Sequence, residues 1–212
     1  QDQIKVINNK STELSIGNQL SQKADVIISE IFSSEFVGEG VQSSILDAKK
    51  RLLKNNGKLI PESGEIKFAL LKSNYEIDKQ CYVEKINGYD LSDFNQITGS
   101  KFYLDIKDSN IFFLSNENIA FSFNFYSKEI NKQERIIEIP IAQEGTCLGV
   151  IAWIKVNVYQ NIYLENNPLK EKTLHWSNPI YKFNKPLKVS KGESIQIKAS
   201  LLEDHVWFEL IE

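Results

Sequence analysis

Apolar positions along this chain follow two rhythms that change near residue 61. Before it, IKVI (4–7) and ADVIIS (24–29) are short continuous apolar runs, the pattern of strands covered on both faces of a parallel sheet. Between 44 and 56 the spacing turns helical. Ile45, Ala48, Leu52 and Leu53 recur every three or four residues, Ser44 with Asp47 offers a capping box, and Asn56-Gly57 offers a C-terminal stop. KLIP (58–61) reads as the next strand, so strand, helix and strand make one crossover unit of an open α/β sheet.

After Pro61 almost no helical period is found. KFYLDI, NIAFSFNFYS, RIIEIPI, GVIAWIKVNVYQ, SIQIKAS and HVWFELIE follow one another, often alternating with period two. Ile119, Phe121, Phe123 and Phe125 are expected on one face, with Ala120, Ser122 and Asn124 on the other. Asn87-Gly88, Gly145, Asn166-Asn167-Pro168 and Lys191-Gly192 supply turns between the runs. The pattern predicts an α/β piece over residues 1–61 and an antiparallel sandwich or barrel over 62–212.

Composition narrows the classes of function. The net charge of −3 provides no basic field for neutralising phosphates, so nucleic acid is not an expected partner. The longest apolar runs fall far short of the roughly 20 residues that a bilayer span requires, and no signal peptide is evident. The expectation is a chain without a membrane partner, located in the cytoplasm. Cys81 and Cys147 are isolated and lack CxxC spacing, which argues against a zinc knuckle or a disulfide framework and fits a reducing compartment; no metal site is expected. The sequence has no methionine, and is expected to begin inside a longer gene product.

The candidate chemistry lies in SEIFSSEFVGEG (29–40), where Glu30, Glu35 and Glu39 follow the ADVIIS strand. In an open α/β sheet the ligand crevice lies at the carboxyl ends of the strands, which is where Glu30 falls. One reading is a set of solvated loop charges, with Glu39 favouring the helix N-terminus. The other is a pocket for a cation, because two carboxylates facing one site repel unless a positive group sits between them. A guanidinium suits such a pocket, its planar fork of donors matching carboxylates two at a time.

Several stretches together resemble the protein arginine N-methyltransferase family. SEIFSSEFVGEG is similar to its double-glutamate loop, INGYDLSDFN (86–95) to its dimerisation arm, EGTCLGVIAWIKVNVYQNIYLENNP (144–168) to its barrel core, and TLHWSNPIYKF (173–183) to its Thr-His-Trp loop. VINNKSTELSIG and the glutamate loop look closest to the monomethylating subgroup. The resemblance implies the C-terminal part of a Rossmann-like methyltransferase sheet followed by an antiparallel β-barrel, with a dimerisation arm near 84–115 and head-to-tail homodimers. It implies methyl transfer from S-adenosylmethionine to arginine side chains of a protein or peptide substrate. Glu30 and Glu39 would then clamp the guanidinium, Glu39 being the proton acceptor.

His175 and Trp176 would wall the arginine pocket and brace the catalytic end of the sheet; without the resemblance they read as a satisfied histidine and a packed indole. Ser11 and Thr12 would contact the adenine ring, or simply close a turn after a strand. The aromatic residues Tyr181 and Phe183, with His205, are expected in barrel packing or at the surface. Two departures stand out: Leu174 replaces the usual threonine, and Ser33 stands where the subgroup often has aspartate.

The family's glycine-rich cofactor turn and ribose-binding acid are absent. The only GxG is Gly38-Glu39-Gly40, inside the glutamate loop and not after a strand opening a βαβ unit. The chain is thus expected to be about the C-terminal two-thirds of a methyltransferase module, inactive without the remainder. Two other readings stay open. One is a non-catalytic scaffold from a split or degenerate methyltransferase, and the other is a plain β-domain that binds a protein.

Overall fold

The computed structural model describes residues 3–103, 110–127, 133–170 and 175–211. The crossover unit is present: strand β1 (Ala24–Ile28) pairs in parallel with β2 (Leu53–Ile60) through helix α1 (Val41–Arg51). Its details differ from expectation. The helix starts at Val41, after Gly40 in the left-handed conformation, and Ser43 Oγ donates to the Gly40 carbonyl, so no Ser44–Asp47 box forms. Asp47 instead pairs with Arg51 one turn on. Asn56-Gly57 lies within β2 and does not end the helix, because a register shift between Ala24 and Val26 lets β2 run on from Leu53. IKVI joins no strand among the described residues, and Ile4 and Val6 are exposed. Nor is β1 covered on both faces, since Ile28 is 74% exposed.

The remainder is mostly sheet. Strands β3 (Ser63–Lys72), β6 (Lys101–Tyr103), β7 (Asn118–Asn124), β9 (Gly145–Tyr159) and β11 (Pro179–Val189) form one antiparallel layer in the order β6-β11-β9-β3-β7, with β10 (Ile162–Glu165) also paired to β9. Strands β8 (Gln133–Pro140), β12 (Ser194–Leu201) and β13 (Val206–Ile211) form a second layer in the order β13-β12-β8. No ladder joins the two layers into a closed barrel among the described residues. Phe68, Val150, Ile154 and Tyr181 of the first layer meet Ile197, Ala199 and Phe208 of the second in one buried core. Phe36, Val41, Ile45 and Leu59 belong to the same core, which therefore extends under the crossover unit.

A second cluster gathers Leu71, Leu148, Ile151 and Ile180 under helix α2 (Tyr75–Cys81), whose Ile77 and Cys81 are buried. The segment that follows holds a hairpin of β4 (Lys85–Ile86) and β5 (Tyr89–Asp90), turned at Asn87-Gly88 with positive φ at both residues. A 3-10 turn, Ser92–Gln96, comes next, and Ile86, Tyr89, Phe94 and Ile97 are exposed here. The arm expected over 84–115 includes 104–109, outside the described residues, as do Leu174 and the end of KFYLDI. No helix among the described residues is long and apolar enough to cross a membrane.

In the first layer Lys67 Nζ bridges Glu117 (2.6 Å) and Glu165 (2.9 Å), and Glu165 also accepts from Trp153 Nε1 (3.1 Å) and Lys170. Burial alone would raise the Glu165 pKa, but hydrogen bonds from Lys170, Lys67 and Trp153 outweigh it and lower the carboxyl to about 2. A carboxylate depressed below its ordinary value of about 4.3 stabilises the fold above that pH and stops doing so as pH falls toward the folded value. Stability should therefore drop between about pH 5 and pH 2, and Glu165→Gln should flatten that limb in denaturant unfolding measured across a pH series.

Candidate active site

The site is organised around the loop that leaves β1 and enters α1. Ser29 N–H donates to the Ile60 carbonyl (2.9 Å), extending the parallel pairing, and the next residue, Glu30, emerges at the carboxyl end of the strand. Its Oε1 lies 3.8 Å from His175 Nε2, and both side chains are exposed. The His175 ring packs beside the Trp176 ring, with centroids 4.9 Å apart. Trp176 is buried and its Nε1–H donates to the Phe32 carbonyl (2.9 Å), while Ser177 N–H donates to Ser34 Oγ (3.0 Å). The 175–177 segment is thus stitched directly to the 30–34 segment.

Behind this seam stands Asn166, a buried amide. Its Nδ2 donates to the carbonyls of Trp176 (3.2 Å) and Ser177 (3.3 Å), and its Oδ1 accepts from Ile154 N–H on β9 (2.8 Å). A buried amide so satisfied fixes a loop without leaving an orphan polar atom. Asn166 looks like turn material in the sequence; its bonds tie the His-Trp segment to the central sheet.

The middle of the glutamate loop is held by packing. Phe36 is fully buried in spite of a left-handed backbone (φ 69°), and its ring lies 5.0 Å from Phe32, 4.8 Å from Phe123 and 5.7 Å from Phe125, measured between centroids. Ser33 Oγ accepts from the N–H groups of Glu35 (3.2 Å) and Gly38 (3.1 Å), closing the tight turn above that plug. The serine that departs from the resembling subgroup is therefore structural in this loop.

Glu39 sits at the far end of the loop with φ 62° and ψ 16°, immediately before the left-handed Gly40 that precedes α1. It is exposed, and lines an open cleft with Gly40, Gln42, Ser43, Glu203 and Asp204. The acidic pair Glu203-Asp204, from the turn between β12 and β13, had no signal in the sequence that would place it beside Glu39. The structure therefore brings Glu30, His175 and Trp176 together at one end of the loop, with Glu39 on a cleft wall at the other.

Ser11 and Thr12 lie on an exposed 3-10 turn, Ser11–Glu13, apart from these groups. Arg51 at the end of α1 holds that turn, donating to the carbonyls of Ser11 (3.0 Å) and Leu14 (2.5 Å) while paired with Asp47. The Asp47 carboxyl is lowered, chiefly by that guanidinium. Both turn hydroxyls are exposed to solvent, so they can meet a ligand.

The third loop carboxylate faces inward. Glu35 is 8% exposed, and its two oxygens accept from Tyr181 Oη–H on β11 and Lys101 Nζ on β6. Burial, with the Glu35 carboxylate beside it, pushes the Tyr181 phenol well above its ordinary range. Burial opposes charge on Lys101, but the bonds to Glu35 and Tyr103 prevail and raise its pKa. Tyr181 is packed, as expected, and it also carries this polar contact.

Comparison with known proteins identifies the family of the chain. Residues 67–209, about two-thirds of the chain, match the family model described as the arginine methyltransferase oligomerization subdomain. The chain is similar to an arginine N(omega)-methyltransferase of Streptomyces achromogenes subsp. streptozoticus, 27% identical over 93% of this chain and 54% of the relative. It is also similar to protein arginine N-methyltransferase 7 of Caenorhabditis briggsae, 25% identical over 98% of this chain and 34% of the relative. Among solved structures, a chain of the Trypanosoma brucei PRMT1 enzyme-prozyme heterotetrameric complex with AdoHcy superposes with a TM-score of 0.77 at 16% identity, covering 92% of this chain and 62% of that one. The chain spans about half the length, or less, of these curated relatives. It belongs to the arginine methyltransferase family and carries that family's oligomerization subdomain over residues 67–209.

Proposed function

We propose that the protein carrying this chain is a protein arginine N-methyltransferase that transfers a methyl group from S-adenosylmethionine to arginine side chains of a protein or peptide. The observation that supports it most is the stitched seam, in which Glu30 faces His175 at 3.8 Å while Trp176 bonds the Phe32 carbonyl. An exposed carboxylate is held there against a histidine at the carboxyl end of a parallel strand, where an α/β sheet receives its ligand.

A guanidinium is a poor nucleophile because its charge is spread over three nitrogens and its pKa is too high for deprotonation near pH 7. Glu30 and Glu39 hydrogen-bond two of the nitrogens, draw the positive charge toward them and leave the third aimed at the electrophile. His175 keeps the Glu30 carboxylate turned toward the pocket, Trp176 walls it, and Glu39 receives the proton. S-adenosylmethionine, when bound, supplies the electrophilic methyl group. Ser11 and Thr12, exposed on a turn fixed by Arg51, would hold one edge of it. The exposed Ile86, Tyr89, Phe94 and Ile97 suit the arm of a homodimer.

The test is transfer of labelled methyl from S-adenosylmethionine to an arginine-rich peptide by the full-length protein. Transfer to arginine is the expected result. Absence of both transfer and cofactor binding would overturn the enzyme reading and leave a scaffold that assembles through its oligomerization subdomain.

A further inference from the structure

The Glu35 contacts belong to none of the roles given so far. Glu35 lies between the two proposed clamp residues, five positions after Glu30 and four before Glu39, yet it is buried where they are exposed. Its oxygens reach Lys101 and Tyr181, 66 and 146 residues away in sequence. Both partners lie within the 67–209 match to the oligomerization subdomain, and Glu35 lies outside it. Lys101 Nζ also sits over the Tyr103 ring (5.2 Å), and Lys101 pairs with Tyr181 in the ladder joining β6 to β11.

Resting on the methyltransferase reading, we propose that Glu35 is a positioning residue. Its paired contacts with Lys101 and Tyr181 hold the glutamate loop against the oligomerization subdomain and so set the placement of Glu30 and Glu39. A carboxylate with both oxygens engaged and little solvent contact has few orientations open to it. The loop is fixed at three kinds of contact: the Phe36 plug, the Trp176 seam and this ion pair. Only the ion pair runs to β6, the strand that follows the exposed hairpin and 3-10 turn of the arm region. A shift of that strand is thereby passed to the loop carrying the proposed clamp, where displacement by about 1 Å costs on the order of 100-fold in rate.

The test uses the full-length protein and its Glu35→Gln, Lys101→Met, Lys101→Arg and Glu35→Gln/Lys101→Met variants. Peptide methylation kinetics, cofactor affinity and thermal unfolding are measured for each. We expect Glu35→Gln and Lys101→Met each to lower kcat/KM by about 10- to 100-fold, with cofactor affinity within about twofold of the parent. Lys101→Arg should recover most of the loss, and the double variant should be no worse than the poorer single one. Folded variants that keep the parent kcat/KM would overturn the proposal, making the ion pair merely structural. So would a raised peptide KM in Glu35→Gln with a lowered one in Lys101→Met, since Glu35 would then be reading substrate charge directly. A parent that transfers no methyl group defeats the methyltransferase reading alone. Hydrogen exchange over residues 30–40 then decides the positioning: faster exchange in Lys101→Met supports it, and unchanged exchange overturns it.

Discussion

Glu30→Gln and Glu39→Gln are each expected to lower kcat for arginine methylation by about 10²- to 10³-fold, with far smaller changes in cofactor affinity. The amide keeps the size of the side chain and part of its hydrogen bonding. It loses the negative charge that draws the guanidinium's positive charge away from the attacking nitrogen. Because that charge shift grows as the methyl moves, the loss falls on the transition state and appears in kcat more than in KM. Glu30 and Glu39 are exposed, so neither substitution disturbs the core, and the folded fraction by circular dichroism should match the parent. Transfer within about threefold of the parent in both variants would remove the clamp from the mechanism.

Phe36→Ala should be the most destabilising single change in the loop, at about 3–5 kcal/mol. The ring is fully buried among Phe32, Phe123 and Phe125. It also rests on the backbone of β3: a Cβ built on Gly64 would come 2.2 Å from Phe36 Cζ. The strand has a glycine there because the plug occupies the space of a side chain. Gly64→Ala therefore attacks the same contact from the other side, and should destabilise by pushing the ring out of the core. A typical domain has only about 5–15 kcal/mol in hand, so Phe36→Ala removes a large fraction of it. Guanidinium unfolding of the two single variants and the double decides the matter. A double variant no worse than Phe36→Ala identifies the ring contact as the shared cause, and full additivity rules it out.

How much of this was legible in the sequence varied with the range of the forces involved. The β1-α1-β2 unit was readable because its apolar period is local, although neither the Ser44–Asp47 box nor the Asn56-Gly57 stop acts as the sequence suggests. Helix α2 was not: only Ile77 and Cys81 of its seven residues are buried, too few to set a period, and the usable signal was Asn74, whose side chain accepts from Ile77 N–H. Strand β3 escaped because it is central, between β9 and β7, and its buried run of Phe68, Ala69, Leu70 and Leu71 shows no alternation. Strand β11 escaped because the polar stretch Asn184-Lys185-Pro186 interrupts its apolar pattern, where its register against β9 shifts between Lys182 and Leu187.

The expected alternation in β7 failed at one point. A register shift puts Phe121 opposite Ile66 but Ile119 opposite Lys67, so Ala120 turns inward and Ile119 is 43% exposed. At the candidate site, Glu30, Glu39, His175 and Trp176 could be proposed from sequence because whole motifs surround them. Lys101, Tyr181, Asn166 and Glu203-Asp204 could not, because they act through partners distant along the chain.

The backbone at Glu39 bears on how this protein can change. A non-glycine residue at φ 62° costs roughly 1–2 kcal/mol compared with a relaxed conformation, and glycine would not bear that cost. Selection for stability alone would thus drift toward glycine at position 39, and a thermostability screen blind to methylation would reward it. On the proposed mechanism the same step deletes the proton acceptor. If Glu39 has that role, a glutamate held there against the preference of its own backbone marks a position where heat resistance and catalysis pull the sequence in opposite directions.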